Sequence, residues 1–210
     1  MLQSFFSIKE FPKLEFLARN WETIRHEFLE LQAPTLEIVR NGTHDEVVLE
    51  YTQHLESGKE PGWVLGWSKE GLPNKNWIQY GLIVNDKTLP FTKEKFPKTI
   101  ELLSSIKGIR VCGLAKMKAH TFLSTHRHPE LLKENLLQLH ITLDAPLNRN
   151  YCYLNVKGKF FQHKNGLAIV FDGSFDHFAI NASNHDRTIL YMEFHKDQLH
   201  DGNNKWDKGF

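Results

Sequence analysis

The apolar positions of the chain keep two periods, one in each half. From Phe11 to Leu31, the residues Leu14, Leu17, Trp21, Ile24, Phe28 and Leu31 recur at intervals of three and four. That spacing lines one face of a helix, so it predicts a helix across this stretch with one stripe turned to a core. Pro12 suits a first turn, and Ala33-Pro34 closes the pattern. Asn41-Gly42 reads as a turn. Thr43 to Ser57 after it stays ambiguous, because Val47-Val48-Leu49 fits a strand or a short helix. Gly62 to Trp67 and Trp77 to Val84 are rich in aromatic and β-branched residues and predict strands, with Gly71 to Asn76 a loop between them. Phe96-Pro97-Lys98-Thr99 leads into a short helix, Ile100 to Ile106, which Lys107-Gly108 stops.

From Ile109 onward the pattern becomes that of strands. Arg110 to Met117, Leu136 to Leu143, Tyr151 to Val156, Leu167 to Phe171 and Arg187 to Phe194 predict five short strands separated by turn residues. Lys157-Gly158-Lys159 suggests a hairpin. Short strands at this spacing predict a sandwich or barrel. No internal repeat, low-complexity tract or linker interrupts the chain. The expected architecture is therefore mainly β with N-terminal helices, in one domain over residues 1–210. Residues 1–108 supply helices and leading strands packed on the barrel, and residues 109–210 a β-sandwich core.

Composition narrows the function classes. A chain of 210 residues, 40% hydrophobic and 12% aromatic, suits a folded domain with a full core. With 26 basic and 25 acidic residues the net charge is +1, which gives no electrostatic case for nucleic acid or an anionic membrane. No signal peptide and no apolar run of transmembrane length is visible, so membrane insertion is not expected and a cytoplasmic location is. The two cysteines, Cys112 and Cys152, sit in strand-like runs as small core residues, not as a disulfide scaffold.

The candidate chemistry lies between Ser124 and Glu193. On the strand Leu136 to Leu143, Leu137, Leu139, Ile141 and Leu143 share one face, and Leu136, Gln138, His140 and Thr142 the other. That second face is either solvated or lines a wet cavity. On the last strand Arg187, Ile189, Tyr191 and Glu193 share a face. An arginine turned inward there needs an anionic partner, since a buried guanidinium is costly unpaired, and a dicarboxylate would supply one. His126 and His128 are alternate residues, so on an extended segment both can reach one metal, and His177 would arrive from another strand. The plainer readings stay open. The three are among twelve histidines, Arg187 could form a surface salt bridge, and His140 could be a hydrogen-bonded strand residue.

These residues carry a family resemblance. His126-Arg127-His128-Pro129, Leu139-His140-Ile141-Thr142-Leu143, Phe171-Asp172-Gly173-Ser174-Phe175-Asp176-His177 and Arg187 resemble the active-site core of the aspartyl/asparaginyl β-hydroxylases, which are Fe(II)/2-oxoglutarate dioxygenases. Asn20-Trp21 with Ile24-Arg25, Asn76 to Leu82, Leu89-Pro90, Phe96 to Thr99 and Leu102-Leu103 resemble the segments that precede that core. The spacing from His126 to His140 is also similar to that of the free-proline cis-4-hydroxylase branch. The resemblance implies a double-stranded β-helix, that is, a cupin-like jelly roll. It implies Fe(II) on His126 and His177, and Arg187 on the distal carboxylate of 2-oxoglutarate with His140 beside its other end. It further implies hydroxylation coupled to oxidative decarboxylation, with 2-oxoglutarate, O₂ and an amino-acid, peptide or protein substrate as partners. Many members carry Asp where this chain has His128, and some animal members Gly. The expected ligand set is therefore three histidines, His126, His128 and His177. Gln138 stands where the family usually has an arginine that helps hold 2-oxoglutarate; glutamine can donate hydrogen bonds there but brings no charge.

The reading that follows is a 2-oxoglutarate-dependent hydroxylase of an aspartyl or asparaginyl side chain, or of a related amino acid. Two alternatives stand beside it: a three-histidine metal dioxygenase that does not use 2-oxoglutarate, and a non-catalytic member of the fold that binds a metal or ligand.

Overall fold

In the computed structural model, which describes residues 3–36, 38, 44–66 and 74–199, the apolar stripe near the start forms two helices rather than one. After a short strand β1 (Phe5–Phe6) come α1 (Pro12–Arg19) and α2 (Trp21–Glu30). Asn20 breaks the run, with φ −96° and ψ 20°. Its side-chain amide donates to the Phe16 carbonyl at 2.8 Å, and its own carbonyl accepts from Thr23 at 3.1 Å. It thus ends one helix and starts the next without leaving those groups orphaned. The stripe survives the break, with Leu14, Leu17, Ile24 and Phe28 buried and Trp21 and Leu31 partly so. A two-residue strand β2 (Thr35–Leu36) precedes α3 (His44–Glu56). The ambiguous Val47 segment is therefore helical: Val47, Tyr51 and Leu55 fall at intervals of four and pack together with Val64 and Leu89. Asn41-Gly42, Trp67 and Gly71 to Pro73 lie outside the described residues.

The leading strands are β3 (Trp63–Gly66), β4 (Asn74–Val84) and β5 (Lys87–Thr88), followed by α4 (Thr92–Lys95) and α5 (Pro97–Ser104). Asn74 to Asn76, expected in a loop, begin β4 because Asn74 pairs with Gly66. Pairing overrides the turn-like composition. No side chain of α5 caps its N-terminus. The buried Glu27 of α2 does so instead, accepting from the Lys98 and Thr99 amides at 2.8 and 2.9 Å and from the Thr99 hydroxyl at 2.6 Å. One carboxylate locks two helices together where the helix dipole favours it.

The remaining elements are β6 (Ile109–Met117), β7 (Thr121–His126), α6 (Pro129–Lys133), β8 (Leu136–Asp144), β9 (Cys152–Val156), β10 (Lys159–Gln162), β11 (Ala168–Phe171), β12 (His177–Asn181), β13 (Arg187–His195) and α7 (Lys196–Leu199). Among the described residues the strands make two sheets. The larger has the order β1-β11-β8-β13-β6-β4-β3-β2, with β5 on β4, and the smaller has the order β10-β9-β12-β7. From β6 to β13 the chain alternates between sheets except at the β9–β10 hairpin. Two facing antiparallel groups of four, β11-β8-β13-β6 and β10-β9-β12-β7, are the strand orders of a double-stranded β-helix. The hairpin turns through Lys157 and Gly158, both at positive φ, as a two-residue turn matched to strand twist requires. The leading strands join the larger sheet edge to edge, through β4 on β6. Among the described residues no helix is long and apolar enough to cross a membrane, and both cysteines are buried and free.

The predicted parity of β8 holds. Leu137, Leu139, Ile141 and Leu143 join Phe11, Leu14, Ile24 and Phe28 in the main core between sheet and helices, while Gln138 and His140 line the cleft between the sheets. Leu139 has no exposed surface. Leu139→Ala should cost about 2–5 kcal/mol, the range for a truncated leucine in a packed core. Urea unfolding checks this; a loss below about 1 kcal/mol would mean the site collapses around the cavity.

Candidate metal centre

Strand pairing brings the distant histidines together. His126 ends β7 and His177 begins β12, and the two are directly opposite in the ladder, with ring centroids 4.2 Å apart. His128 lies two residues on, at φ −119° and ψ 80°, its N–H bonded to the Gly173 carbonyl at 2.9 Å. Its ring is 5.2 Å from that of His126 and 5.4 Å from that of His177. One ligand nitrogen from each of the three falls within 4.8 Å of the others. Their Nδ1 atoms face oxygen acceptors: the Ser124 carbonyl for His126 at 2.7 Å, the Phe175 carbonyl for His177 at 2.8 Å and the Glu130 carboxylate for His128 at 3.2 Å. A carbonyl oxygen only accepts, so Nδ1 of His126 and His177 carries the proton and the lone pair falls on Nε2. Outer hydrogen bonds of this kind orient metal-ligating imidazoles.

The same burial keeps the rings neutral. Desolvation holds the His126 imidazole down to about 4, with His128 adding to the effect. It holds His177 down to about 3, with His126 adding. The ordinary value in an unfolded chain is about 6.5. Between that value and about 4 the unfolded chain takes up protons that the folded chain does not, so stability falls as pH falls through this window. The metal-free protein should therefore show a urea midpoint that is level above pH 7 and declines steadily from pH 6.5 toward pH 4. A midpoint that rises on acidification contradicts the neutral, buried pair.

At the inner end of the same cleft stands Arg187, 2% exposed. Its Nε has no partner among the described residues, and one terminal nitrogen only approaches the Met117 sulfur at 3.5 Å. Burial pushes its pKa down to about 10, which still leaves it a cation at neutral pH. His140 lies between Arg187 and the histidine cluster, against Phe171 and Tyr191, with Nδ1 unpartnered among the described residues. All six residues singled out from the sequence, His126, His128, His177, Gln138, His140 and Arg187, line this one cleft.

Gln138 is committed more tightly than its sequence position suggests. Tyr191 Oη donates to Glu193 at 2.5 Å, because a carboxylate can only accept. That hydroxyl has one proton, so the Gln138 amide nitrogen is the donor in its 2.7 Å bond to Tyr191. Glu193 in turn holds Arg110 at 3.2 Å, and Arg110 reaches the half-exposed Glu134 at 3.6 Å. One of the two N–H donors of the Gln138 amide is thus engaged, and the Gln138 carbonyl is buried over Gly173, without a partner among the described residues. A side chain at Gly173 would collide with that carbonyl, so glycine is required there. Sequence reading placed Tyr191 and Glu193 on the inward face but gave no sign of this chain, since Arg110 and Glu134 lie far from them in sequence.

The donor set fits a divalent first-row metal. Three imidazoles converge, two with their lone pairs fixed on Nε2, and borderline nitrogen ligands suit Fe(II) as well as Zn(II), Ni(II) and Cu(II). The buried guanidinium of Arg187, its Nε without a partner among the described residues, fits an anion in the same cleft. The family model described as aspartyl/asparaginyl beta-hydroxylase matches residues 18–197. No curated protein matches the chain. Among solved structures, a 2OG-Fe(II) oxygenase-family oxidoreductase from Burkholderia pseudomallei is similar at 12% identity and a TM-score of 0.43, over 81% of this chain and 98% of that one. The Cnp3 cupin domain of Schizosaccharomyces pombe is similar at 11% identity and a TM-score of 0.39, over 62% of this chain and 73% of that one. A predicted oxalate decarboxylase from Thermotoga maritima is similar at 16% identity and a TM-score of 0.38, over 56% of this chain and 79% of that one. The strand order establishes the jelly roll independently of these neighbours, and the family match runs from the last turn of α1 through the histidine cluster and Arg187 to the start of α7. The chain belongs to the aspartyl/asparaginyl beta-hydroxylase family.

Proposed function

We propose that the chain is an Fe(II)- and 2-oxoglutarate-dependent hydroxylase acting on an aspartyl or asparaginyl side chain, or on a related amino acid. The observation that carries this reading is one cleft lined both by three imidazoles that converge on one point and by a buried arginine whose Nε has no partner among the described residues. His126, His128 and His177 would hold the metal, which when bound supplies the oxygen chemistry. Arg187 would hold the distal carboxylate through paired N–H donors, with no competing carboxylate among its contacts. His140, neutral and buried, would pack beside the co-substrate and exclude water. Gln138 would offer the co-substrate at most one N–H and no charge, because Tyr191 takes the other N–H of its amide nitrogen. In this reading the described elements form one domain, since β4 on β6 makes the leading strands part of the larger sheet. A cytoplasmic location belongs to the same reading; two free, buried cysteines suit a reducing compartment.

The test is anaerobic loading with Fe(II), then O₂ with 2-oxoglutarate, following succinate and CO₂. Succinate formed in step with O₂ consumed supports the reading. O₂ uptake that needs the metal and ignores 2-oxoglutarate would favour the dioxygenase that does not use it. Metal binding with no O₂ uptake would favour a binding role.

A further inference from the structure

One more buried histidine packs directly behind His140. His163 follows β10 and has no exposed surface. Its ring stacks on His140, with centroids 5.6 Å apart and planes at 22°. Its Nδ1 lies 3.0 Å from the hydroxyl of Thr142, which is also fully buried. Thr142 pairs with Ile189, two residues beyond Arg187, so His163 hangs from β8 at the level of the guanidinium. The nearness shows in the charges: after burial itself, Arg187 is the largest influence keeping both His163 and His140 unprotonated.

Three buried nitrogens here, His163 Nε2, His140 Nδ1 and Arg187 Nε, have no hydrogen-bond partner among the described residues. Buried polar atoms in folded proteins nearly always have one, so a cluster of exceptions marks a place where something else binds. If the Thr142 hydroxyl donates to His163 Nδ1, the imidazole proton sits on Nε2, and that nitrogen becomes a donor. One cation and neutral imidazole donors match a carboxylate in charge and in hydrogen bonding.

We propose that His163 is a further binding residue for the co-substrate. With Arg187 it seats the inner carboxylate, the guanidinium donating to that group and His163 Nε2–H donating to one of its oxygens. Thr142 is a positioning residue that fixes the tautomer. The inference rests on the 2-oxoglutarate reading, and it names a residue that reading does not use.

Calorimetry on the full chain separates the two. Three probes are titrated into the Fe(II)-loaded protein under anaerobic conditions: 2-oxoglutarate, pyruvate (the same 2-oxo acid end, no distal carboxylate) and glutarate (two carboxylates, no 2-oxo group). His163→Leu is expected to weaken 2-oxoglutarate and glutarate tenfold or more and to leave pyruvate within twofold. His163→Gln keeps an N–H donor and should recover most of the loss. Thr142→Val should show the same selectivity in milder form. Circular dichroism and thermal melts confirm folding, and the glutamine and valine variants carry the test if the leucine variant does not fold. Equal affinities in wild type and variants, an equal loss for all three probes, or wild-type protein that binds none of them overturns the proposal. If glutarate binding depends on His163 while 2-oxoglutarate is never turned over, the co-substrate reading fails and the carboxylate seat stands.

Discussion

Arg187→Ala is expected to abolish tight binding of 2-oxoglutarate while making the ligand-free protein no less stable. Both halves follow from the same burial. The guanidinium is 2% exposed, its Nε has no partner among the described residues, and its nearest polar contact is a thioether sulfur at 3.5 Å. Taking such a charge out of water costs several kcal/mol, and nothing in the ligand-free fold offsets that cost well. Removing it therefore relieves the fold, and the thermal midpoint without ligand should be unchanged or higher. With a carboxylate bound, the balance reverses. Truncating one partner of a buried, hydrogen-bonded charge pair costs about 2–5 kcal/mol, which corresponds to about thirtyfold to several-thousandfold in affinity. Metal content should be unaffected, since the histidine cluster lies toward the other end of the cleft. Arg187→Lys keeps the charge and loses the planar fork, so it should recover only part of the affinity. Calorimetry with 2-oxoglutarate and a melt without it give both readouts. Equal affinity in wild type and Arg187→Ala would remove the arginine from the co-substrate site. A large drop in the ligand-free midpoint would mean that Arg187 is part of the structural core instead.

Much of this site could be read from the sequence because strand parity is a simple rule. On β8 and β13, alternate residues must turn to opposite faces, so the sequence alone puts Gln138 with His140, and Arg187 with Tyr191 and Glu193, on one face each, and both faces line the cleft. What the sequence hid was of two kinds. Strands whose sequence is mixed on both faces give no period: β7, Thr-Phe-Leu-Ser-Thr-His, has Phe122 exposed and Leu123 buried, and β12 and β10 are shorter still. These strands exist because of their neighbours in the sheet, which local pattern does not report. Residues whose role depends on a distant partner were also invisible. Glu27 caps a helix 71 residues away, Arg110 meets Glu193 across 83 residues, and His163 meets Thr142 across 21. Histidines at His-x-His spacing carry a local signal; His163, alone among polar residues, carries none. The break at Asn20 is intermediate. Asparagine is a known helix-boundary residue, but an unbroken apolar stripe outweighed it.

The largest effect of all is expected at the metal. His126→Ala and His177→Ala should each leave the protein without bound Fe(II), because these two rings sit opposite one another in the ladder with Nδ1 held on backbone carbonyls at 2.7 and 2.8 Å. Backbone acceptors, one in β7 and one in the turn just before β12, do not swing as side chains do, so both imidazoles are oriented before any metal arrives. His128 is held differently. It stands just ahead of α6, partly exposed, with its Nδ1 on the side chain of Glu130 at 3.2 Å. We expect it to ligate all the same, because its ligand nitrogen is within 4.8 Å of the other two. His128→Ala should then weaken metal binding by more than the about 10–100-fold typical of losing an outer-shell partner, and Glu130→Ala by about that smaller amount. His128→Asp supplies the carboxylate that many relatives carry and adds one negative charge against the dication, so it should bind Fe(II) at least as well as wild type. Bound metal measured at pH 7.5 after equilibrium dialysis ranks the five variants. If His128→Ala retains metal like wild type while His126→Ala and His177→Ala lose it, the site is two histidines plus solvent. If all three histidine-to-alanine variants retain it, the metal sits elsewhere, and the cluster is only a hydrogen-bonded group at the mouth of the cleft.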